Sequence, residues 1–419
     1  MKILWFTNSP CNAIDILTKD KVTGGGWLYA LSEKVSQIKG LELHIAFYWG
    51  KSIDSFSHKG IVFHPMFREG NNSKWGRMKF RIFSILNGRN ESSEIREAVD
   101  LVKNVNPDLI HIHGSEENFC QVASLLSNHK IVLSIQGLLS PYYEKLFSGL
   151  TRQEIERNES LYDKLTFNGV WYKSTSMKRR ALREYEALKY IPHIIGRTDW
   201  DKYCSLVINP QRKYYEVGEI LRDSFYNNRW KKVAFPEKLR IVTTVSHGYY
   251  KGFETICKTA NLLTKIGFPF EWNVIGLTKG NIAMFEKVLH LNSDDINIKL
   301  LGRKNAEQMV DILVESDIYC QVSHIENSPN SLCEAMSLGM PIVATFAGGT
   351  SSMLANGREG ILVQDGDPYA LGGAIMNLSQ DFQRAKDFGE KAYLRAIHRH
   401  NPDYVSEQLV DTYKNILGV

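Results

Sequence analysis

Ser323-His324-Ile325-Glu326-Asn327-Ser328-Pro329-Asn330-Ser331-Leu332-Cys333-Glu334-Ala335-Met336-Ser337-Leu338-Gly339-Met340-Pro341-Ile342-Val343-Ala344 is the stretch on which the fold turns. An apolar strand, Ile318 to Val322, runs into it. A turn rich in Asn, Ser and Pro follows, then a short helix, then Gly-Met-Pro and a second apolar strand. Glu326 falls on the loop above the first strand, and Glu334 about one turn inside the helix. The first backbone N–H groups of that helix, near Asn330 to Leu332, lack helical acceptors and make an anion site. Carboxylates on either side of an anion suit hydroxyl groups. A sugar, a diphosphate and a ribose joined in one molecule meet that pattern.

The stretch resembles the E-x7-E signature of family 4 glycosyltransferases, which have the GT-B fold and retain anomeric configuration. Gly348-Gly349-Thr350 and then Gly357-Arg358-Glu359-Gly360-Ile361-Leu362-Val363-Gln364-Asp365-Gly366-Asp367-Pro368 continue the family's pattern in order. The match is close from about Leu239 to Leu378 and looser in the N-terminal half.

The chain has 419 residues, too many for one ordinary core. It is 43% apolar and 23% charged, as globular proteins are. No apolar run reaches bilayer-spanning length, and Met1 to Thr7 reads as a first strand rather than a signal peptide. Six cysteines without a C-x-x-C pair read as reduced, mostly buried thiols of a cytoplasmic protein. The net charge of +5 does not imply nucleic-acid binding. Two basic stretches, Lys74 to Leu86 and Lys173 to Lys189 (with Lys178, Arg179, Arg180 and Arg183), have two readings: a peripheral contact with an anionic membrane face, or a solvated helix face.

Strands and helices alternate along the chain. Strands are expected at Lys2–Thr7, Leu43–Tyr48, Leu109–Ile112, Lys130–Ile135 and Pro192–Gly196, and again at Leu239–Val245, Glu271–Ile275 and Asn297–Leu301. Gly252–Ile266 and a helix capped by Asn305 lie between strands of the second set. This grammar predicts an α/β architecture of two Rossmann-like parallel-sheet domains. The expected divisions are an acceptor-side domain 1–228, a nucleotide-sugar-binding domain 229–398, and a final amphipathic helix within 399–419. The resemblance implies that this helix crosses back to the N-terminal domain. The linker is expected near Asn227–Pro236. Ligands of such sheets bind outside the carboxyl ends of the strands, which makes the cleft between the domains the expected site.

A departing diphosphate gathers negative charge, which fixed cations and dipoles must meet. The resemblance implies that Lys251 grips the diphosphate. Ser246 stands where the family has an arginine, so the missing charge falls to His247 or Arg222 unless the grip is weaker. The resemblance further implies that Glu334 bonds the ribose, that Glu326 bonds the donor sugar, and that Asn327, Ser328, Asn330, Ser331 and Leu332 supply backbone contacts. Arg303 either meets the base or sits in solvent as an ordinary loop arginine. In the first domain, Gly24-Gly25-Gly26 matches the family's glycine loop, with Gly25 and Gly26 approaching the donor. His113 is placed beside the donor sugar, to stabilise charge or orient the reacting centre. Gln136, where relatives often carry histidine, and Arg197 are placed on the acceptor side, as is Arg222. Asp365-Gly366-Asp367 reads as a turn and an N-cap rather than a metal motif.

The resemblance thus implies a hexosyltransferase-type enzyme (EC 2.4) without metal or other cofactor. It would move a sugar from a nucleotide-sugar to a glycan or lipid-linked acceptor in cell-surface polysaccharide assembly. Two alternatives stay open: a GT-B-type nucleotide-sugar epimerase, and a non-catalytic nucleotide-sugar-binding protein. An inverting transferase ranks third.

Overall fold

The computed structural model describes residues 1–18, 26–68, 78 and 92–419. Gly24 and Gly25 lie outside the described residues, as does the basic stretch 74–86 apart from Met78. By their internal contacts the described residues form two units. One comprises Met1–Tyr143, Ser160–Ile220 and His400–Val419, and the other Glu144–Glu159 and Leu221–Arg399.

The first unit is built on strands β1 (Lys2–Thr7), β2 (Glu42–Trp49), β3 (Phe56–His58), β4 (Ile61–Phe67), β5 (Leu109–His113), β6 (Ile131–Ser134), β7 (His193–Gly196) and β8 (Lys213–Glu216). Their order in the sheet is β3-β4-β2-β1-β5-β6-β7-β8, parallel throughout except for the β3–β4 pair. Strand alternation sends Leu4 and Phe6 to one face and Ile3 and Trp5 to the other. Both faces are covered at β1, which is why Ile3 to Phe6 reads as an unbroken apolar run. Leu28, Leu31 and Val35 of the helix Trp27–Ser36 pack on the Trp5 face, together with Val405, Leu409 and Tyr413 of the helix Pro402–Leu417. Tyr413 is anchored inside that core. Its hydroxyl accepts from Trp5 Nε1 at 2.9 Å and lies 2.6 Å from His111 Nδ1. His111 Nε2 reaches Ser134 Oγ at 2.6 Å. Burial pushes the His111 imidazole down to about 3, so this network is neutral.

The second unit carries β9 (Leu239–Thr244), β10 (Phe270–Ile275), β11 (Ile298–Gly302), β12 (Ile318–Gln321), β13 (Ile342–Phe346) and β14 (Ile361–Gln364), all parallel in the order β11-β10-β9-β12-β13-β14. Chain direction across the sheet reverses between β9 and β12, the switch point at which open α/β sheets bind ligands. Asn305 caps Ala306–Glu315 with a capping box through Gln308. The linker reading of Asn227–Pro236 needs correction. Leu221, Phe225 and Trp230 are buried in the second unit's core, and Trp230 Nε1 donates to Ser316 O at 2.8 Å. The aromatics that make the segment look like a connector are core residues, and the boundary falls between Ile220 and Leu221. Glu144–Glu159, from the N-terminal half of the sequence, also belongs to the second unit.

No helix among the described residues is long and apolar enough to cross a membrane. In the basic helix Val170–Leu188, Arg180 and Arg183 turn inward and donate to Glu116 O at 2.9 Å each, while Lys178 and Arg179 stay exposed. All six cysteines are free thiols, five of them buried.

Candidate functional site

The carboxyl ends of β9 and β12 bring Lys251 and Glu326 together. β9 leads into a short turn, Tyr249–Lys251, and then through Gly252 into the helix Phe253–Lys265. β12 leads into the loop of Glu326. Lys251 Nζ donates to Glu326 Oε1 at 2.7 Å. A cation just before a helix opposes the helix dipole, and burial opposes its charge. The Glu326 carboxylate outweighs both and holds the Lys251 amine above its ordinary range. Ser323 Oγ also donates to Glu326 Oε1, at 2.7 Å, and itself accepts from Gln321 Nε2 at 3.1 Å. Gln321 Oε1 in turn accepts from Tyr319 OH at 2.9 Å and from Ser331 Oγ at 3.2 Å. A continuous buried polar chain therefore runs from β12 to the helix start and fixes the Glu326 rotamer.

Two glycines set the height of this loop. Gly252, at φ +76°, approaches Val322 O so closely that an added Cβ would lie 2.0 Å from it. Gly348, at φ +54°, does the same to Glu326 O, and Gly349 N–H donates to that carbonyl at 2.8 Å. Side chains at either place would push the loop off the sheet.

The helix Asn330–Leu338 starts at Pro329, is buried from Leu332 onward and leaves Asn330 exposed. Leu332 and Cys333 N–H both bond back to Pro329 O, at 2.9 and 3.1 Å, so Leu332 is not among the free donors expected at the helix start. Glu334 is buried, and its Oε1 accepts from Arg222 Nε at 3.0 Å and Nη2 at 2.6 Å. Burial raises the Glu334 carboxyl and Arg222 pulls it back, with a net rise. Arg222, expected on the acceptor side, is thus the counterion of Glu334 within the second unit. Both glutamates of the signature stand paired with a cation.

The other expected donor residues are dispersed. Ser246 and His247 are exposed beyond β9, and Arg303 is exposed just past β11. Asn327 is buried and Ser328 half-buried in the Glu326 loop. The two acids of Asp365-Gly366-Asp367 point to different tasks. Asp367 Oδ1 caps the helix Pro368–Ser379, accepting from Tyr369 and Ala370 N–H at 2.9 Å, while Asp365 lies 3.3 Å from His324 Nδ1.

In the first unit, His113 is buried among Trp5, Trp27 and His111, with ring centroids at 4.4, 5.8 and 3.7 Å. Neither ring nitrogen has a hydrogen-bond partner among the described residues. Burial, with the Arg197 guanidinium nearby, holds its basicity well below the usual range, so His113 is a neutral imidazole. Gly26 is exposed at the start of Trp27–Ser36, and Gln136 is half-buried after β6. Arg197 is buried, pairs with Glu219 at 3.2 Å and lies 4.3 Å over the Trp27 ring. The neighbouring Thr198-Asp199-Trp200-Asp201 is a helix cap: Thr198 Oγ1 accepts from Asp201 N–H, and Asp201 Oδ2 accepts from Arg197 N–H.

Sequence reasoning missed three features. A cavity of about 250 Å³ opens beside the carboxyl ends of β1 and β2, lined in part by Asn8, Trp49, Arg68 and Glu117. Arg68 lies 3.3 Å over the Tyr48 ring and pairs with Glu94 at 2.9 Å and Glu117 at 2.8 Å. Arg222 was noticed, but not its bond to Glu334. His324 and Glu254 lie 2.7 Å apart, although 70 positions separate them. The only available signal was that each lies within three residues of a named site residue.

Residues 226–395 match the family described as glycosyl transferases group 1. The amylovoran biosynthesis glycosyltransferase AmsK of Erwinia amylovora is 28% identical over 35% of this chain and 37% of its own length. The D-inositol 3-phosphate glycosyltransferase of Corynebacterium urealyticum is 29% identical over 28% of each chain. The chain thus spans about a third of the length of these curated relatives. Among solved structures, the sucrose-phosphate synthase of Thermosynechococcus elongatus superposes with a TM-score of 0.70 at 15% identity, covering 100% of this chain and 99% of its own. Anabaena HepE in complex with UDP and glucose gives 0.64 at 16% identity, covering 99% of both chains. Residues 226–395 are therefore similar to the glycosyl transferases group 1 family, and the fold of the chain is that of GT-B proteins.

Proposed function

We propose that this protein is a retaining glycosyltransferase that takes its sugar from a nucleoside-diphosphate sugar and serves polysaccharide assembly. The observation that carries the donor half is the pair of cation-matched carboxylates, Lys251–Glu326 and Arg222–Glu334, beside the start of the helix Asn330–Leu338. Bare carboxylates would repel a diphosphate, whereas matched pairs leave cations to receive it. Lys251 and the Asn330 and Ser331 N–H groups take the diphosphate, Glu334 the ribose, and Glu326 the hydroxyls of the sugar. Arg222 makes good the charge absent at Ser246. Because two side-chain cations meet the leaving group, the transfer is assigned as metal-independent. The bond from the anomeric carbon to the diphosphate breaks, the acceptor oxygen bonds that carbon on the same face, and the departing phosphate takes the acceptor's proton late. The polar cavity of Asn8, Arg68 and Glu117 is assigned to the acceptor. Relatives named for amylovoran and capsular polysaccharide biosynthesis support a polymer-building role.

The test is a panel of nucleoside diphosphates and their sugars scored by thermal stabilisation. A ligand at 100 times its dissociation constant adds about 2.7 kcal/mol. One base should stand out, its sugar should be transferred with retained configuration, and the E326Q/E334Q double variant should lose both effects. Stabilisation untouched by that double change contradicts the reading, as does isomerised sugar formed without acceptor.

A further inference from the structure

Two residues before Glu326, His324 presents a buried imidazole for which the donor site has no use. Its Nε2 lies 2.7 Å from Glu254 Oε1, and its Nδ1 lies 3.3 Å from Asp365 Oδ2. Glu254 stands three residues after Lys251, on the helix that the Lys251 turn opens, and Asp365 follows β14. A neutral imidazole has one N–H and one lone pair, and between two carboxylates the lone pair faces a second acceptor. An imidazolium donates to both.

The surroundings close the arrangement. Thr255 Oγ1 donates to Glu254 Oε1 at 2.7 Å, and Lys145 Nζ lies 3.7 Å from Asp365 Oδ2. Gly149 packs directly over Glu254, where an added Cβ would lie 2.1 Å from Oε1. The His324 N–H donates to Tyr250 O at 2.8 Å, which ties the Glu326 loop to the Lys251 turn through the backbone as well.

We propose that His324 is a positioning residue: an imidazolium shared by Glu254 and Asp365, it clamps the loop of Glu326 onto the turn of Lys251 and couples donor affinity to the proton on its ring. The donor half of the proposal rests on the transferase reading above; the clamp itself does not. Burial works against the His324 charge, but the bonds to Glu254 and Asp365 outweigh it and raise the ring's basicity above the ordinary imidazole range. A raised folded value means that the clamp is complete below the ordinary imidazole value and is lost as pH rises through the folded one. The Lys251 amine, itself raised, stays charged across that window.

The experiment joins histidine NMR of the full chain with UDP titrations across pH and crystal structures of H324Q and D365N. The His324 ring should titrate above the ordinary imidazole value and should titrate at lower pH in D365N. In H324Q the Lys251–Glu326 contact should open. UDP should bind H324Q about tenfold more weakly at pH 6.5, the scale of one charge-assisted hydrogen bond, and the alkaline fall in affinity expected of the wild type should be absent from H324Q. A ring that titrates at or below the ordinary imidazole value overturns the clamp, as does an unmoved Lys251–Glu326 pair in H324Q. If no nucleoside diphosphate binds the wild type while the ring is charged and the pair opens in H324Q, the clamp stands and the transferase reading falls.

Discussion

Replacing Arg222 by methionine keeps most of the side-chain volume and strips the buried Glu334 carboxylate of its counterion. A carboxylate orphaned in a protein interior costs about 3–5 kcal/mol. The Arg222 side chain is 32% exposed, so water takes over part of its role and about 2 kcal/mol is expected. For a unit of roughly 200 residues that lowers the melting temperature by about 4–8 °C. The loss has a pH signature. Burial already holds the Glu334 carboxyl above the usual range, and Arg222 is what restrains it. Without Arg222 the folded value climbs further, so the folded chain holds the proton more tightly than the unfolded one. Stability then falls as pH rises from the unfolded carboxyl value, about 4.3, through the folded value, and stays low above it. Calorimetric melts of wild type, R222M, E334Q and the double variant at about pH 5 and pH 8 read both effects. R222M should show its full deficit at the higher pH and a smaller one at the lower, and adding E334Q should recover most of it. A deficit equal at both pH values, or no recovery with E334Q, refutes the pairing.

Four further outcomes follow from the same geometry. K251M, which removes the cation from Glu326, should weaken nucleoside-diphosphate binding about tenfold or more by calorimetry; unchanged affinity contradicts its role. G348A forces a Cβ to within 2.0 Å of Glu326 O at φ +54° and should cost about 2 kcal/mol or more in a melt. D367A removes a helix cap and should cost about 1 kcal/mol with nucleotide affinity intact, whereas a lost activity restored by a divalent ion would revive the metal reading of that acid. Excess chelator should leave sugar transfer unaffected in a radiolabel assay, and a loss reversed by added magnesium contradicts metal independence.

The second unit was the more legible half. Its strands are short apolar runs ending in glycine or a polar turn, and Asn305 and Asp367 announce their helices by capping chemistry. The first unit hid more. β4, Ile-Val-Phe-His-Pro-Met-Phe, contains a proline and mixes polar with apolar residues, so neither alternation nor an unbroken apolar run marks it. The helix Phe382–Arg399 is dominated by charge, and its buried stripe is mostly alanine with Phe388 and Gly389, a faint hydrophobic signal. At the site, the sequence named Glu326, Glu334 and Lys251 but not what each touches. Arg222 and Glu334 are 112 positions apart, and their meeting depends on Leu221 and Phe225 seating the chain in the second unit's core. Local pattern carries no record of such a pairing. The same reason hides His324, whose two partners come from other elements.

The most direct measurement is a crystal structure with the stabilising nucleotide-sugar bound. Glu334 should lie within about 3 Å of the ribose hydroxyls, Glu326 should meet the sugar, and Lys251 should have turned from its carboxylate partner toward the diphosphate. A nucleotide seated elsewhere, or either glutamate facing away from it, contradicts the assignment.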